Sequence, residues 1–216
     1  MRVNYQTCLS GKKTVLCPYR FEHVEKYHEW MKSPFLLEMT GSEPLSYEEE
    51  VKMQKSWRDD EDKCTFIVLG KECCENSLTL SRSIQEDGNE ISPLEGNFIT
   101  KTLDAMVGDV NLFLSEEEED DENEDESDGE DTANDVQQTL NENGKEEIKM
   151  KQAELDLMVA EELFRGQGIG KEAACMMMIY GAEKLGIRKF TVKIKEENIA
   201  SRHLFEKVRL DCFILS

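Results

Sequence analysis

The hydrophobic and polar positions of the chain repeat with two different periods. Apolar residues recur with helical spacing in Phe21–Met31, and further helices are predicted over 46–57 and 172–185. Runs rich in β-branched and aromatic residues predict strands. These strands cover residues 13–18, 64–69, 107–114, 153–160 and 190–195. With a last helix over Ile199–Val208, capped by Asn198, the order β-α-α-β-β-β-α-β-α indicates an α/β layered domain.

Two segments have no such periodicity. Residues 70–104 are polar and contain scattered glycine and proline, which predicts a long surface loop. Residues 115–147 hold 17 Asp and Glu and one Lys, a net charge of −16, so −5 of the net −21 belongs to the rest of the chain. Such a stretch buries too little apolar surface to offset its ordering entropy, and we predict an acidic, disordered insertion over 115–150. It is either a solvated segment or a docking arm for a basic partner.

Charge and cysteine usage narrow the classes of partner and compartment. Outside the acidic segment no basic patch is available to release counterions, so no nucleic acid is expected. No apolar run approaches the ~18–20 residues of a membrane span, and no signal peptide is found, so no membrane is expected. The seven cysteines and three histidines lack zinc-binding spacing, so no metal is expected. We predict a reducing compartment, the cytoplasm or the nucleus.

A glycine-rich segment, Arg165–Lys171, lies between a predicted strand and a predicted helix. Glycine allows the chain to turn there, and the free N–H groups of a helix N-terminus attract an anion such as a phosphate. The spacing fails as a dinucleotide fingerprint, because the sixth position from Gly166 is Lys171. It fails as a P-loop, which needs glycine at Arg165 and serine or threonine at Glu172. A plain strand-to-helix turn is the structural alternative.

Two motifs resemble the GNAT superfamily of N-acetyltransferases. Arg165-x-x-Gly168-x-Gly170 is similar to the loop with which this family holds the pyrophosphate of acetyl-CoA. The segment from Asn198 to Lys207 is similar to the family's N-x-x-S-x-x-x-[YF]-E-K helix. The resemblance implies the GNAT acyl-CoA N-acyltransferase fold, a mixed central sheet flanked by helices. It also implies a single domain over residues 1–216, with the C-terminal strands of the family missing or incomplete.

The resemblance further implies acetyl-CoA as the co-substrate. The pantetheine arm would pair with the backbone of the strand at 153–160, and the pyrophosphate would lie on the glycine loop. The implied cofactor-binding residues are Met158, Val159, Ala160, Arg165, Gly166, Gln167, Gly168, Ile169, Gly170, Lys171, Asn198 and Phe205. Lys171 lies in the first turn of the predicted helix, where its positive charge opposes the helix dipole. A bound diphosphate would turn this unfavourable position into a favourable contact.

Acetyl transfer also needs a group that removes a proton from the amine. Glu154 and Asp156 share one face of their strand by period two, so either is a candidate base. The alternative is an ion pair with Lys193 or Lys195 on the next strand. Two positions depart from the family pattern. Phe205 stands where some members carry a tyrosine that protonates the thiolate, and Lys193 stands where some carry a glutamate.

Two functions of different classes follow. The first is an N-acetyltransferase that moves acetyl from acetyl-CoA to an amine, with a protein or peptide as acceptor. The second is a non-catalytic protein with the same fold that acts through cytoskeletal or other protein partners. Phe205, Lys193 and the short C-terminus favour this second function.

Overall fold

The computed structural model describes residues 2–75, 96–118, 138–140, 146–208 and 212–215. The helices are α1 (Val24–Trp30), α2 (Pro34–Thr40), α3 (Tyr47–Asp59), α4 (Gly96–Thr102), α5 (Ile169–Tyr180) and α6 (Ile199–Val208). The strands are β1 (Leu9–Ser10), β2 (Thr14–Pro18), β3 (Lys63–Gly70), β4 (Met106–Glu118), β5 (Gln138–Leu140), β6 (Glu146–Val159), β7 (Lys189–Lys195) and β8 (Cys212–Leu215). The helices and strands that the periodicity predicted are present in the predicted order.

The described strands form one mixed sheet in the order β1-β2-β3-β4-β6-β7-β8, and β5 pairs with β6. Neighbouring strands from β1 to β6 are antiparallel, whereas β6–β7 and β7–β8 are parallel. A parallel pair needs a crossover connection, and α5 and α6 supply the two crossovers. A mixed sheet flanked by helices confirms the predicted fold class.

Helix ends follow local signals in the sequence. At the start of α3, the N–H of Glu49 donates to Ser46 Oγ and the N–H of Ser46 donates to Glu49 Oε2, which is a capping box. Asn198 caps α6, because its Oδ1 accepts the N–H of Ser201 at 3.1 Å. Gly186, with φ of 72°, ends the turn that follows α5 in a conformation that favours glycine.

Apolar side chains cover both faces of the sheet. On one face, Leu112 and Leu155 pack with Ala173 and Met177 of α5. On the other face, Met158 belongs to a second core with side chains of α1 and α2. Each strand in the middle of the sheet therefore contributes to two cores, and its polar residues must lie among apolar ones.

Residues 70–104 differ from the predicted surface loop. Their end forms α4, where Phe98 and Thr102 are buried, and Cys74 is buried near their start. Phe98 packs in the core on the α1 face. A helix of seven residues, about two turns, is too short to give a clear periodic signal, which is why the sequence did not predict it. Residues 76–95 lie outside the described residues.

The ends of the predicted acidic insertion are strand. β4 continues past the predicted end at Leu114, and its register with β6 extends to the pair Glu118–Lys149. This register places Glu116 opposite Lys151 and Glu118 opposite Lys149. These lysines lie outside residues 115–147, so the net charge of −16 for that segment does not include them. Residues 119–137 and 141–145 lie outside the described residues, and disorder there stays a prediction, as does the incompleteness of the C-terminal strands.

Candidate active site

A cleft opens between β6 and β7. Their pairing runs only from Gln152–Lys189 to Glu154–Thr191, although both strands continue beyond it. The cleft has a volume of about 500 Å³. Its walls are residues 155–159 of β6, the end of β7, the glycine loop, and parts of α2 and α6. β6 therefore presents to the cleft an edge that β7 does not cover.

The glycine loop forms one end of the cleft. Gly166 and Gly168 have φ of 73° and 83°, a region that side chains disfavour. Gly168 is the N-cap of α5 and supplies no side-chain cap, so the first N–H groups of the helix are available to a ligand. A Cβ on Gly170 would lie 2.9 Å from Leu204 Cδ1, so this glycine allows α5 to pack closely on α6.

Arg165 fastens this loop to the edge of β6. Its Nε donates to the carbonyl of Val159 at 2.9 Å, and its terminal nitrogen donates to the carbonyl of Ala160 at 2.8 Å. The guanidinium also lies over the ring of Phe35, 5.1 Å from its centroid. Arg165 lines the cleft, but these donors hold the protein backbone, so it shapes the loop.

Contacts from the β1–β2 hairpin also hold the loop and α5, and no pattern in the sequence predicts them. Lys13 Nζ donates to the carbonyl of Gln167 at 2.6 Å. The carboxylate of Glu172, in the first turn of α5, accepts the N–H groups of Lys12, Lys13 and Thr14. Burial opposes the charge of Glu172, but these donors outweigh it and lower its pKa. The partners are about 160 residues apart in the chain, and only the fold brings them together.

The implied cofactor-binding residues divide into two groups. Those that line the cleft are Met158, Val159, Arg165, Gly166, Gly168, Gly170, Lys171, Asn198 and Phe205. Three others do not line it. The N–H of Ala160 donates to Val107 of β4, which leaves it unavailable to a ligand, and Ile169 is in the core. The backbone carbonyl of Gln167 accepts a hydrogen bond from Lys13, and its side-chain amide donates to the carbonyl of Leu163.

Glu154 and Asp156 lie on one face of β6, as period two predicted, but in different surroundings. Lys193 Nζ lies 2.6 Å from Glu154 Oε2, so the ion pair considered as the alternative is present for Glu154. Asp156 lines the cleft and its side chain stays open to it. Although Asp156 is exposed to the cleft, the protein around it displaces part of its water. This desolvation raises the pKa of Asp156, while the N–H of Leu157 and the charge of Lys63 oppose the rise. Asp156 is thus the carboxyl group of the pair that faces a ligand.

A buried polar cluster continues from Asp156 across β4. Asn111, directly opposite Asp156, donates to Asp109 Oδ2 at 2.7 Å and accepts from Thr65 at 2.6 Å. Asp109 is 2% exposed, and its Oδ1 has no hydrogen-bond partner among the described residues. Burial raises the pKa of Asp109 to about 7, and the nearby Asp156 adds to the rise.

Lys63 of β3 lies on the same face as this cluster. Burial lowers its pKa to about 8, against the attraction of Asp109, Asp156 and Asp60. Lys63 was not predicted as a site residue, because it precedes a nearly continuous apolar run in which a period of two cannot be seen. The available signal was a lysine at the start of a buried strand.

Among the described residues, no group of three or more His, Cys, Asp and Glu side chains could hold a metal ion. None of the described helices has the length and apolar character to cross a membrane.

Comparison with known proteins identifies a family. The acetyltransferase (GNAT) domain model matches residues 13–211. The N-acetyltransferase 9-like protein of Nematostella vectensis is 36% identical over 208 residues, which are 96% of this chain and 79% of that protein. The alpha/beta-tubulin-N-acetyltransferase 9 of Homo sapiens is 38% identical over 212 residues, which are 98% of this chain and 78% of that protein.

A solved structure shares the fold. RimL, a ribosomal L7/L12 alpha-N-protein acetyltransferase in complex with coenzyme A, superposes with a TM-score of 0.54. The superposition covers 94% of this chain and 83% of that chain, at 13% sequence identity. At this identity the likeness bears on the fold alone.

Proposed function

The chain belongs to the GNAT acetyltransferase family, and we propose that it transfers the acetyl group of acetyl-CoA to an amine of a protein. The observation that carries this proposal is the cleft between β6 and β7, which ends at the uncapped N-terminus of α5. When bound, acetyl-CoA supplies a thioester whose carbonyl the amine attacks. The chain supplies the binding surface and the group that accepts the proton.

The residues of the cleft fit this co-substrate. Gly166 and Gly168 turn the chain so that the first N–H groups of α5 can meet a pyrophosphate. The uncovered edge of β6 at Met158 and Val159 can hydrogen-bond an amide-containing arm, as an added strand would. Ala160 is no part of this edge, because its N–H is already bonded.

We assign proton removal to Asp156 and not to Glu154. A carboxyl group with a raised pKa is the better base at neutral pH, and Asp156 also opens to the cleft. Glu154 is held in an ion pair by Lys193, so its carboxylate already has a partner. Asp156 can accept the proton of the amine directly or through a water molecule.

A protein acceptor is supported by the relatives. The human relative is named for N-acetylation of α- and β-tubulin, and it matches nearly the whole of this chain. Tubulin is therefore the first acceptor to test, and it would place the reaction in the cytoplasm. The alternative of a non-catalytic protein predicts binding of acetyl-CoA without turnover.

The test combines calorimetry with an assay of CoA release. Titration with acetyl-CoA should saturate, and purified α/β-tubulin should then stimulate CoA release, with the acetylated amine located by mass spectrometry. Asp156→Asn should lower kcat/KM by about 10²–10⁴-fold and leave acetyl-CoA binding intact. The matched variant Glu154→Gln should lose much less, because Lys193 already matches that charge.

The possible outcomes of this test distinguish the proposals. Absence of saturable binding would defeat the cofactor proposal. Binding without turnover would support the non-catalytic alternative. A larger loss for Glu154→Gln than for Asp156→Asn would move the base to Glu154.

A further inference from the structure

Lys63, the first residue of β3, has a buried ammonium group. Only 5% of the residue is exposed. Its Nζ lies 3.3 Å from the centroid of the Trp57 ring and 4.0 Å from that of the Phe113 ring. The negative faces of two aromatic rings attract a cation that has lost its water shell. The two rings therefore hold the ammonium group at a fixed place.

The sheet places this cation on the same face as the two carboxyl groups of the site. The register pairs Lys63 with Phe113, and it pairs Asn111 with Asp156. By period two, Asp109, Asn111 and Phe113 share one face of β4, so Lys63, Asp109 and Asp156 lie on that face. The charge of Lys63 acts on both carboxyl groups.

Several cations line the cleft together with Asp156, but all are less buried than Lys63: Arg165, Lys171, Lys193 and Lys207. The groups whose charges act on Asp156 are Lys63 of β3, Asp109 of β4, Glu154 of β6 and Tyr27 of α1. Two of these groups are acids, and burial keeps the phenol of Tyr27 uncharged by raising its pKa. Lys193 of β7 is paired with Glu154. Among the described cations near Asp156, Lys63 is thus the buried one.

We propose that Lys63 is a positioning residue for acetyl transfer: its fixed ammonium keeps Asp156 ionised at the cleft, ready to accept the proton of the acceptor amine. The inference rests on the proposed role of Asp156. Lys63 keeps its own proton and makes no bond to the substrate, so it acts only through Asp156. The competing interpretation is that Lys63 only fills and stabilises the space between the two rings.

A direct titration of Asp156 tests this inference without any acceptor. The protein is labelled with ¹³C at the aspartate side-chain carboxyl carbons, and Asp156→Asn and Asp109→Asn assign the two signals. In Lys63→Met, which keeps the apolar stem, the titration midpoint of Asp156 should rise by about one pH unit. Lys63→Arg should return it toward the parent value. Lys32→Met, at an exposed lysine paired with Glu29, should leave it unchanged.

The outcome that overturns the inference is an equal midpoint in the parent and in Lys63→Met, even where the variant melts at a lower temperature. Thermal unfolding identifies a variant that fails to fold, and Lys63→Gln then replaces Lys63→Met. These measurements do not need turnover. The role of Lys63 can therefore be disproved while the proposed function stands, and the proposed function can be disproved while the effect of Lys63 on Asp156 stands.

The pH dependence of kcat/KM supplies a second readout, with tubulin as acceptor and CoA release as signal. In Lys63→Met the acid limb should move to higher pH by the same shift as the NMR midpoint. One pH unit corresponds to about a tenfold loss below that limb and none well above it. A uniform loss at every pH would assign Lys63 to structure alone.

Discussion

The two sides of the β6–β7 cleft are built in opposite ways. The proposed cofactor side comes from one continuous stretch, the end of β6 and the glycine loop, and it offers mainly backbone groups. The proposed acceptor side consists of Asp156, which lines the cleft, and of single side chains behind it from β3 and β4, with two rings from α3 and β4. Backbone groups carry no titratable charge, whereas Lys63, Asp109 and Asp156 all have shifted pKa values.

This difference separates two kinds of sensitivity. The cofactor side depends on φ angles and on close approach of the chain, so glycine substitutions should damage it and pH should not. The acceptor side depends on buried charges, so pH and amide substitutions should change it while the loop stays formed. Variants can therefore be chosen to disturb one side, the other or both.

Gly108→Ala should disturb both sides and have the largest effect. A Cβ on Gly108 would lie 1.9 Å from the carbonyl oxygen of Met158, a backbone atom that cannot move without opening the β4–β6 ladder. We expect a loss of about 3 kcal/mol or more in the free energy of unfolding, measured by urea denaturation. Binding of acetyl-CoA should be lost along with the fold.

Gly166→Ala is the matched control for this substitution. No atom lies within 4 Å of a Cβ built on Gly166, so only its φ of 73° resists the change. The expected cost is about 1–2 kcal/mol. Equal losses for the two variants would show that the close approach of β4 and β6 at Gly108 is unimportant.

Asp109→Asn should change the pH dependence of stability. The pKa of Asp109 is raised from 3.8 to about 7 in the folded protein, so the unfolded chain binds fewer protons between those values. Stability therefore falls as the pH rises through this window. The amide removes this fall, and the variant should gain roughly 2–3 kcal/mol relative to the parent between pH 5 and pH 8.

Thermal or urea unfolding of both proteins at several pH values measures this difference. Asparagine can still accept the hydrogen bond from Asn111, so the comparison isolates the charge. A constant difference between the two proteins across the range would contradict the raised pKa of Asp109. Acetyl-CoA binding should be the same in both proteins at every pH, because the cofactor side lies apart from this charge.

Arg165→Met should have the smallest effect and act on the cofactor side alone. It removes the two hydrogen bonds that tie the loop to the carbonyls of Val159 and Ala160. We expect the Kd for acetyl-CoA to rise about tenfold, or ~1.4 kcal/mol, with little change in fold stability. Arg58→Met, at an exposed arginine paired with Asp59, is the control for loss of a surface charge. A shift in the NMR midpoint of Asp156 in Arg165→Met would break the separation of the two sides.

Most of the fold and the cofactor loop could be predicted because their signals are local. The strand, the glycines and the apolar helix follow one another from residue 153 to residue 185, and each acts within a few residues. Asn198 capped α6 as expected, within the same turn. The roles of Ala160, Gln167 and Ile169 remain unsupported by the cleft, because a backbone partner or a neighbouring helix occupies each of them.

Long-range contacts account for what was missed. α4 has only seven residues, and its Phe98 packs in a core with side chains of α1 and the sheet. The ends of β4 and β6 pair residues on opposite sides of the acidic segment. Charge summed along the chain carries no information about which strand lies opposite which.

By itself, the sequence determined the order of elements, the glycine loop and two candidate carboxylates two residues apart, because period and local backbone preference act along the chain. The tertiary structure decided between those carboxylates. It pairs Lys193 with Glu154 in an ion pair, and it leaves Asp156 open to the cleft, where the charges of Asp109 and Lys63 act on it. The physical reason is that the pKa of an acid depends on burial and on charges across the sheet, and the register of strands far apart in sequence sets both.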